Sequence, residues 1–297
     1  MWVVKNRKLF YGFSIILIIA SAISLSLWGL KPGIDFTGGT LIEVEYLVER
    51  PEQEEVASRL ASIDPAASVR PAGTDGYIVR MKEISQEEKS AVLVALSLGE
   101  ASTMIEKNFA SIGPVLGAEA LRKSIFSIVF VILSIVLYIT FVFRKVSEPV
   151  SSWKYGLTAI VALAHDIIIP IAVFSVLGHF AGYEVDTLFV TALLVILGFS
   201  VHDTIVVFDR VRENLRHGSS GKSFETVVGE SVGQTFARSI NTSLTTLLAL
   251  VILYFFGGEA TQHFALALII GIAAGTYSSV FIGSPLLVTI EKWGRKS

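Results

Sequence analysis

Six runs of apolar residues, each about the length that crosses a bilayer, divide this chain: 9–30, 124–143, 155–178, 187–208, 239–257 and 264–290. Between the first and second the rhythm changes. Residues 31–121 are polar and richer in acid than base. Leu41–Val48 alternates partly, as a half-buried strand does. Pro51-Glu-Gln-Glu-Glu55 opens a helix through Ile63, with acids in the first turn where the helix dipole favours them. Ala67–Pro71 and Tyr77–Lys82 read as strands around Gly73-Thr-Asp-Gly76, Ser85-Gln-Glu-Glu88 starts a second helix with a capping-box pattern, and Ala101–Ser111 reads as a closing strand. The order β-α-β-β-α-β predicts a small ferredoxin-like module. The fold class is therefore a polytopic α-helical membrane protein with six transmembrane helices and an α+β extracytoplasmic domain between helices one and two. Its parts are 1–30, 31–121 and 122–297.

Composition agrees. Of 297 residues, 52% are hydrophobic and 17% charged, against about 25% charged in a soluble domain. A net charge of −2 gives no basic field for nucleic acid. Without cysteine there is no disulfide, thiolate zinc site or iron–sulfur cluster. The chain has no Gly-x-x-x-x-Gly-Lys-Ser/Thr loop, no His-Glu-x-x-His and no Gly-x-Ser-x-Gly elbow, so neither a hydrolytic enzyme nor a metal or cofactor is expected.

Charge also sets orientation. Lys5, Arg7 and Lys8 precede the first span; Arg144, Lys145 and Lys154 lie between the second and third; Arg210, Arg212, Arg216 and Lys222 lie between the fourth and fifth; Lys292, Arg295 and Lys296 end the chain. The short loops on the other side, His179–Asp186 and Gly258–His263, have no Lys or Arg. Both termini are thus expected in the cytoplasm. Ala20-Ser21-Ala22 resembles a signal-peptidase site, but the apolar run continues to Leu30, so a retained span is expected.

Asp203 is the costly residue. It sits in an apolar run from Val195 to Phe208, where a charge at a helix centre costs about 2.5 kcal/mol or more. Such a carboxylate is by default a proton- or ion-coupling group. It lies seven residues before Arg210, about 10 Å along the helix at 1.5 Å per residue. Arg238, at the start of the fifth span, is placed to pair with it. Pairing in one state and separation in another would make a switch; a static ion pair, or a protonated Asp bonded to a neighbour, is the plainer alternative. Asp166 and His165 sit four and five residues before Pro170. They either complete a proton path or satisfy backbone groups that the proline leaves open. His202 lies about 100° round the helix from Asp203 and is expected to face elsewhere. Asn241 is one turn beyond Arg238 and shares its face, and the hydroxyls of Thr242, Ser243, Thr245 and Thr246 read mostly as packing. Gly271, Gly275, Ser279 and Gly283 form a small-residue ridge, a helix-contact signal either within the subunit or with a partner. Asp209–Asn214 reads as a solvated turn or a docking point, and 211–237 as an amphipathic helix or loop on the membrane surface.

Three motifs together are specific: Gly33-Ile-Asp-Phe-Thr-Gly-Gly39, Gly113-Pro-Val-Leu-Gly117 and Val201-His-Asp-Thr-Ile-Val-Val-Phe-Asp-Arg-Val-Arg-Glu-Asn214. In this combination the chain resembles the SecF family, the smaller membrane subunits of the SecDF protein-export complex, within the resistance-nodulation-division superfamily. The resemblance covers essentially the whole chain. It implies that Asp203 is the coupling acid, that Arg238 is its basic partner, that His165 and Asp166 are the His–Asp pair of the third span, and that Gly33, Asp35, Gly38 and Gly39 form a signature turn. It further implies a bacterial or archaeal cytoplasmic membrane, a separate SecD subunit, the SecYEG channel and a translocating preprotein as partners, and use of the proton gradient in late translocation. A proton-coupled exporter of small molecules or lipids shares the buried acid. A purely structural scaffold would tolerate joint neutralisation of Asp203 and Arg238.

Overall fold

The computed structural model describes residues 2–97, 104–145, 151–217 and 221–294. Among these described residues are six helices long and apolar enough to cross a membrane, and the chain divides into two compact units, residues 32–125 and residues 1–31 with 126–297.

The smaller unit is a four-stranded antiparallel sheet in the order β2-β3-β1-β4. The strands are β1 (Gly39–Tyr46), β2 (Ser68–Ala72), β3 (Gly76–Met81) and β4 (Met104–Ile112). The sequence pattern starts the closing strand at 101; residues 101–103 lie outside the described residues. A single helical turn, α3 (Ile34–Thr37), precedes β1. Helices α4 (Gln53–Leu60) and α5 (Gln86–Leu96) complete the β-α-β-β-α-β order. Alternation decides which face they cover: Ile42, Val44, Tyr46 and Val79 bury against Val56, Leu60, Val92 and Leu96. The capping box at Ser85 and Glu88 forms with both of its bonds. The Asp64 carboxylate closes the α4–β2 connection by accepting the Lys82 amide at 2.8 Å and the Ala66 amide at 3.0 Å. Those two donors hold its carboxyl below the usual carboxylate range.

In the larger unit the N-terminal turn α1 (Trp2–Lys5) leads into α2 (Arg7–Trp28). The other spans are the inner part of α6 (Pro114–Val142), α7 (Ser152–Phe180), α8 (Thr187–His217), α9 (Phe224–Phe256) and a broken sixth helix. That last span is α10 (Glu259–Ser278), a π-helical segment Ser279–Gly283, and α11 (Ser284–Gly294). Pro285 has no N–H to offer the carbonyl four residues earlier, and a π-bulge is one way a helix absorbs such a loss.

Three sequence expectations are corrected. Helix α6 starts at Pro114 rather than near 124, because proline suits the first helical turn. Helices α8 and α9, of 31 and 33 residues, are longer than the roughly 20 that cross a bilayer, so among the described residues of 211–237 the first seven end α8 and residues 224–237 open α9, in place of a surface helix. Polar contacts hold the pair: Arg210 donates to Gln234 at 2.6 Å, and Asn214 donates to Ser231 at 2.8 Å and to Gln234 at 2.9 Å. Arg238 consequently lies well inside α9 instead of at its start. Arg295 and Lys296, which contribute to the expected orientation, lie outside the described residues.

An aromatic and aliphatic core sits where these helices converge: Ile139, Phe143, Tyr155, Phe208, Val228 and Leu287 are buried together. Phe143 stacks on Tyr155 with ring centroids 5.1 Å apart, and Phe208 meets Tyr155 edge-on at 5.2 Å. Glu225 ties three helices by accepting from Arg7 at 2.8 Å and from Lys292.

Candidate functional site

The sequence of α8 places Ser200, Asp203 and Thr204 on one side of one helical turn, since residues three and four apart share a face. That side meets α10 closely because α10 lacks side chains there. A Cβ on Gly271 would lie 2.1 Å from Cδ1 of Ile196, and one on Gly275 would lie 3.0 Å from Cβ of Ser200. Ser279 continues the contact, its hydroxyl 3.1 Å from that of Thr204. Gly283 falls in the π-helical segment; a Cβ added to it would come within 3.9 Å of Cβ of Ala162 on α7. The ridge of Gly271, Gly275, Ser279 and Gly283 is thus a seam inside this subunit. Its turn from α8 toward α7 follows the break in span six.

Two acids lie at this seam in unlike surroundings. Asp166 of α7 is fully buried. Its Oδ2 accepts the Ser200 hydroxyl at 2.5 Å and the Ser278 hydroxyl at 2.7 Å, and its Oδ1 pairs with Nδ1 of His165 at 2.9 Å. One carboxylate therefore joins α7, α8 and α10. His165 is 2% exposed, its ring lies over Tyr277 at 6.0 Å, and its Nε2 has no partner. Among the described residues neither side chain bonds the backbone around Pro170; their bonds go to each other and to the serines.

Asp203 is 2% exposed, and its Oδ2 is buried with no hydrogen-bond partner. Its one ion-pair contact among the described residues is long, 3.8 Å from Oδ1 to Nδ1 of His202. The His202 side chain is 59% exposed, so the ring faces outward as the helical angle predicts, but one nitrogen reaches back. Arg238 acts on Asp203 electrostatically without forming an ion pair, and it is exposed on α9 together with Asn241. The expected Asp203–Arg238 pair is absent from this conformation, and Asn241 is on the outer face of α9 and not against the acid. The inward face of α9 carries Ser239 and Ser243 instead, both buried. The Ser243 hydroxyl acts on the Asp203 carboxyl, donates to the Ser239 carbonyl at 2.9 Å and accepts from Thr276 at 2.6 Å. The Ser239 hydroxyl has no partner. A groove of about 290 Å³ between α9 and α10 has the same Ser243–Thr276 pair in its lining.

Sequence reading thus finds the acids, takes Ser243 for packing, and misses Ser200 and Ser278, which bond Asp166, and Thr276, which bonds Ser243. The spacing carries part of the signal: Ser200 is three residues before Asp203, and Ser278 borders the small-residue ridge. Among the described residues no group of three or more His, Cys, Asp or Glu side chains is placed to hold a metal ion.

The signature turn lies in the smaller unit. Gly33 caps α3, and Gly38 and Gly39 follow it with φ of +75° and +121°, a region that favours glycine. Asp35 lies in the first turn of α3.

Comparison with known proteins converges on one family. Residues 94–293 match the family of the protein-export membrane protein SecD/SecF C-terminal region, and residues 29–46 match the SecD/SecF GG motif. A protein translocase subunit SecF of Thermobaculum terrenum is 45% identical over 97% of this chain and 93% of its own length. One from Anaerolinea thermophila is 36% identical over 97% of this chain and 94% of its own. The crystal structure of SecDF, a translocon-associated membrane protein from Thermus thermophilus, superposes with a TM-score of 0.81 at 30% identity. That match covers 98% of this chain, which spans 38% of the solved chain. The helices, the inserted sheet and both glycine motifs thus lead to one conclusion: this chain belongs to the SecD/SecF family of protein-export membrane proteins, on its SecF side.

Proposed function

We propose that this chain is an auxiliary subunit of the Sec export machinery, resident in the cytoplasmic membrane with both termini inside. It works with SecD beside the SecYEG channel and uses the proton gradient to promote late steps of preprotein translocation. Its role is transport and not catalysis. The observation that carries the coupling is the buried, unpartnered Oδ2 of Asp203. A carboxylate oxygen without a donor in a membrane helix is stable as a protonated acid and unstable as an anion. It therefore needs a change of surroundings to lose its proton. Movement of Arg238 toward it, or a turn of the Ser239 and Ser243 hydroxyls, would supply that change. One charge crossing 100 mV is worth about 2.3 kcal/mol, enough to bias a balanced pair of conformations.

The family membership supports the export role, and the solved SecDF supports SecD as the partner. Two measurements test the proposal. The first is capture of the chain from native membranes, followed by mass spectrometry of what comes with it; SecD as the main companion is expected, and its absence would reject the assembly. The second is preprotein translocation with and without a proton gradient, in which the Asp203→Asn complex is expected to lose the response to the gradient.

A further inference from the structure

The groove between α9 and α10 has apolar walls. Ile240, Leu244 and Leu247 of α9 form one side; Ala273 and Tyr277 of α10, with Phe281 of the π-helical segment, form the other. Ser243 and Thr276 add a hydroxyl each, but both are engaged. The Thr276 hydroxyl lies 2.6 Å from that of Ser243 and 2.8 Å from the Ile272 carbonyl, and Ser243 donates to the Ser239 carbonyl. The groove therefore suits an apolar occupant, since a polar one would be left without partners. Its volume of about 290 Å³ is that of a small ligand pocket. A helix, about 10 Å across, is too wide to lie in it, and an acyl chain is not.

Helix α9 separates two kinds of surface. At about 100° per residue, Arg238, Asn241, Thr242 and Thr245 centre on one side, and Ile240, Ser243, Leu244 and Leu247 centre on nearly the opposite one. Arg238, Asn241 and Thr245 are exposed. Polar groups at that depth face protein or a water-filled space and not lipid, so their side suits a protein neighbour. Beside the groove the outward residues are apolar instead: Ile240, Leu244 and Val251 are exposed. The small side chain of Ala273, also exposed, leaves the groove open. That flank is matched to lipid.

Head-group chemistry lies beside Phe281. The Phe281 ring is 4.5 Å from Phe10 of α2, and Trp2 meets Phe10 edge-on at 5.4 Å. Trp2 is exposed, and an exposed tryptophan next to a span belongs at the membrane–water interface. Lys5 and Lys8, in the same stretch, are exposed and form no ion pair among the described residues. Arg7 and Lys292, by contrast, are engaged by Glu225. Two uncompensated cations beside an interfacial tryptophan attract anionic lipid.

We propose that the groove is a phospholipid site: one acyl chain lies along it, and an anionic head group meets Lys5 and Lys8. The chain covers the Ser243–Thr276 pair and keeps water from it. The cytoplasmic leaflet as the source of this lipid rests on the proposed orientation, but the site itself does not.

The test uses the full chain assembled with SecD in vesicles of phosphatidylcholine and phosphatidylglycerol. A small share of one lipid carries a photoactivatable diazirine in its acyl chain, and adducts are mapped by peptide mass spectrometry. The reference is 126–133 of α6, where Phe126, Val129, Phe130 and Leu133 are exposed. With the phosphatidylglycerol probe, adducts on 240–247 and 273–281 should exceed those on the reference about ten-fold, the preference that about 1.4 kcal/mol sustains. The phosphatidylcholine probe should label the groove less. Ala273→Phe fills the groove and should remove its adducts while leaving those on α6. Should that variant fail to assemble, the contrast between groove and α6 in the parent decides. Lys5→Gln together with Lys8→Gln should make the two probes equal. Even labelling of groove and α6 would overturn the site. A groove that neither probe labels, with α6 labelled, would mean that a segment of SecD fills it, and lipid would be rejected as the occupant. Equal labelling by both probes in the parent would overturn the anionic head group. A gradient response that survives Asp203→Asn would sink the coupling and leave the adduct map untouched, and a reversed orientation would change the leaflet and not the map.

Discussion

Asp166 and Asp203 are both buried at bilayer depth on neighbouring helices, yet they are bound in opposite ways. Asp166 has three partners on three elements of structure: His165, Ser200 and Ser278. Asp203 has an oxygen with none. Depth in the membrane marks both as costly, but depth does not separate a fastening from a moving part. What differs between the two in the structure is the number of donors. A carboxylate saturated by hydroxyls and an imidazole has its demand met where it stands, and moving it breaks bonds on several helices at once. A carboxylate with an open oxygen has a second arrangement available. The hydroxyls that would complete it, Ser239 and Ser243, are already on the facing helix.

The largest expected effect breaks that comparison at its mobile end. Asp203→Asn should abolish the stimulation of translocation by a proton gradient, while the complex assembles as before. The amide fills the same space and carries no exchangeable charge. Measured in inverted vesicles, gradient-driven stimulation equal to that of the parent would remove Asp203 from the mechanism.

Asp166→Ala should instead act on stability. Three hydrogen bonds at about 0.6 kcal/mol each, the average inside membranes, put the loss at about 2 kcal/mol. Thermal unfolding of the purified complex should show it, with the gradient response retained per assembled complex. Unchanged melting together with a lost gradient response would reverse the roles of the two acids. Gly275→Ala is the finer probe. The added methyl meets Ser200 at 3.0 Å, and Ser200 is one of the donors to Asp166. Overpacking of this kind costs about 1 kcal/mol or more. Melting should fall modestly and coupling should not, because Ser200 serves the fastened acid.

How much of this the sequence could disclose depends on the range of each interaction. The six spans and the inserted βαββαβ module are legible because period and length are local properties. Ser85 and Glu88 likewise announce their capping box within four residues. Arg238 begins the fifth apolar stretch yet lies well inside α9, which starts at Phe224, because hydropathy registers lipid and not helix. The partners of Asp166 come from residues 200 and 278, a separation that no local pattern spans. Asn241 stands out in the sequence and Ser243 does not, since a polar amide is conspicuous and a serine in a membrane helix is common. The helix angle decides between them, and it turns Ser243 inward and Asn241 outward. Equally hidden is the approach of Gly117 to Gly38, where an added Cβ on Gly117 would lie 2.8 Å from the Gly38 amide nitrogen, although each motif is visible alone.

Asp64, outside the membrane, supplies a reference acid for the pair and the smallest expected effect. Both of its donors are backbone amides, of Lys82 and Ala66, and they hold its carboxyl below the ordinary range. A carboxyl whose folded value is depressed contributes stability that is complete above the unfolded value of about 3.9 and is lost as pH falls through the folded value. The extracytoplasmic domain should therefore lose stability below about pH 4, and Asp64→Asn should flatten that acid limb while costing some stability at neutral pH. Hydrogen exchange of the β3 amides in the full chain reads this without touching the membrane unit. An acid limb equally steep in Asp64→Asn would mean that the two amides do not bind the anion in preference to the acid. The reasoning from donor count that separates Asp166 from Asp203 would then fail in the one place where its donors cannot move.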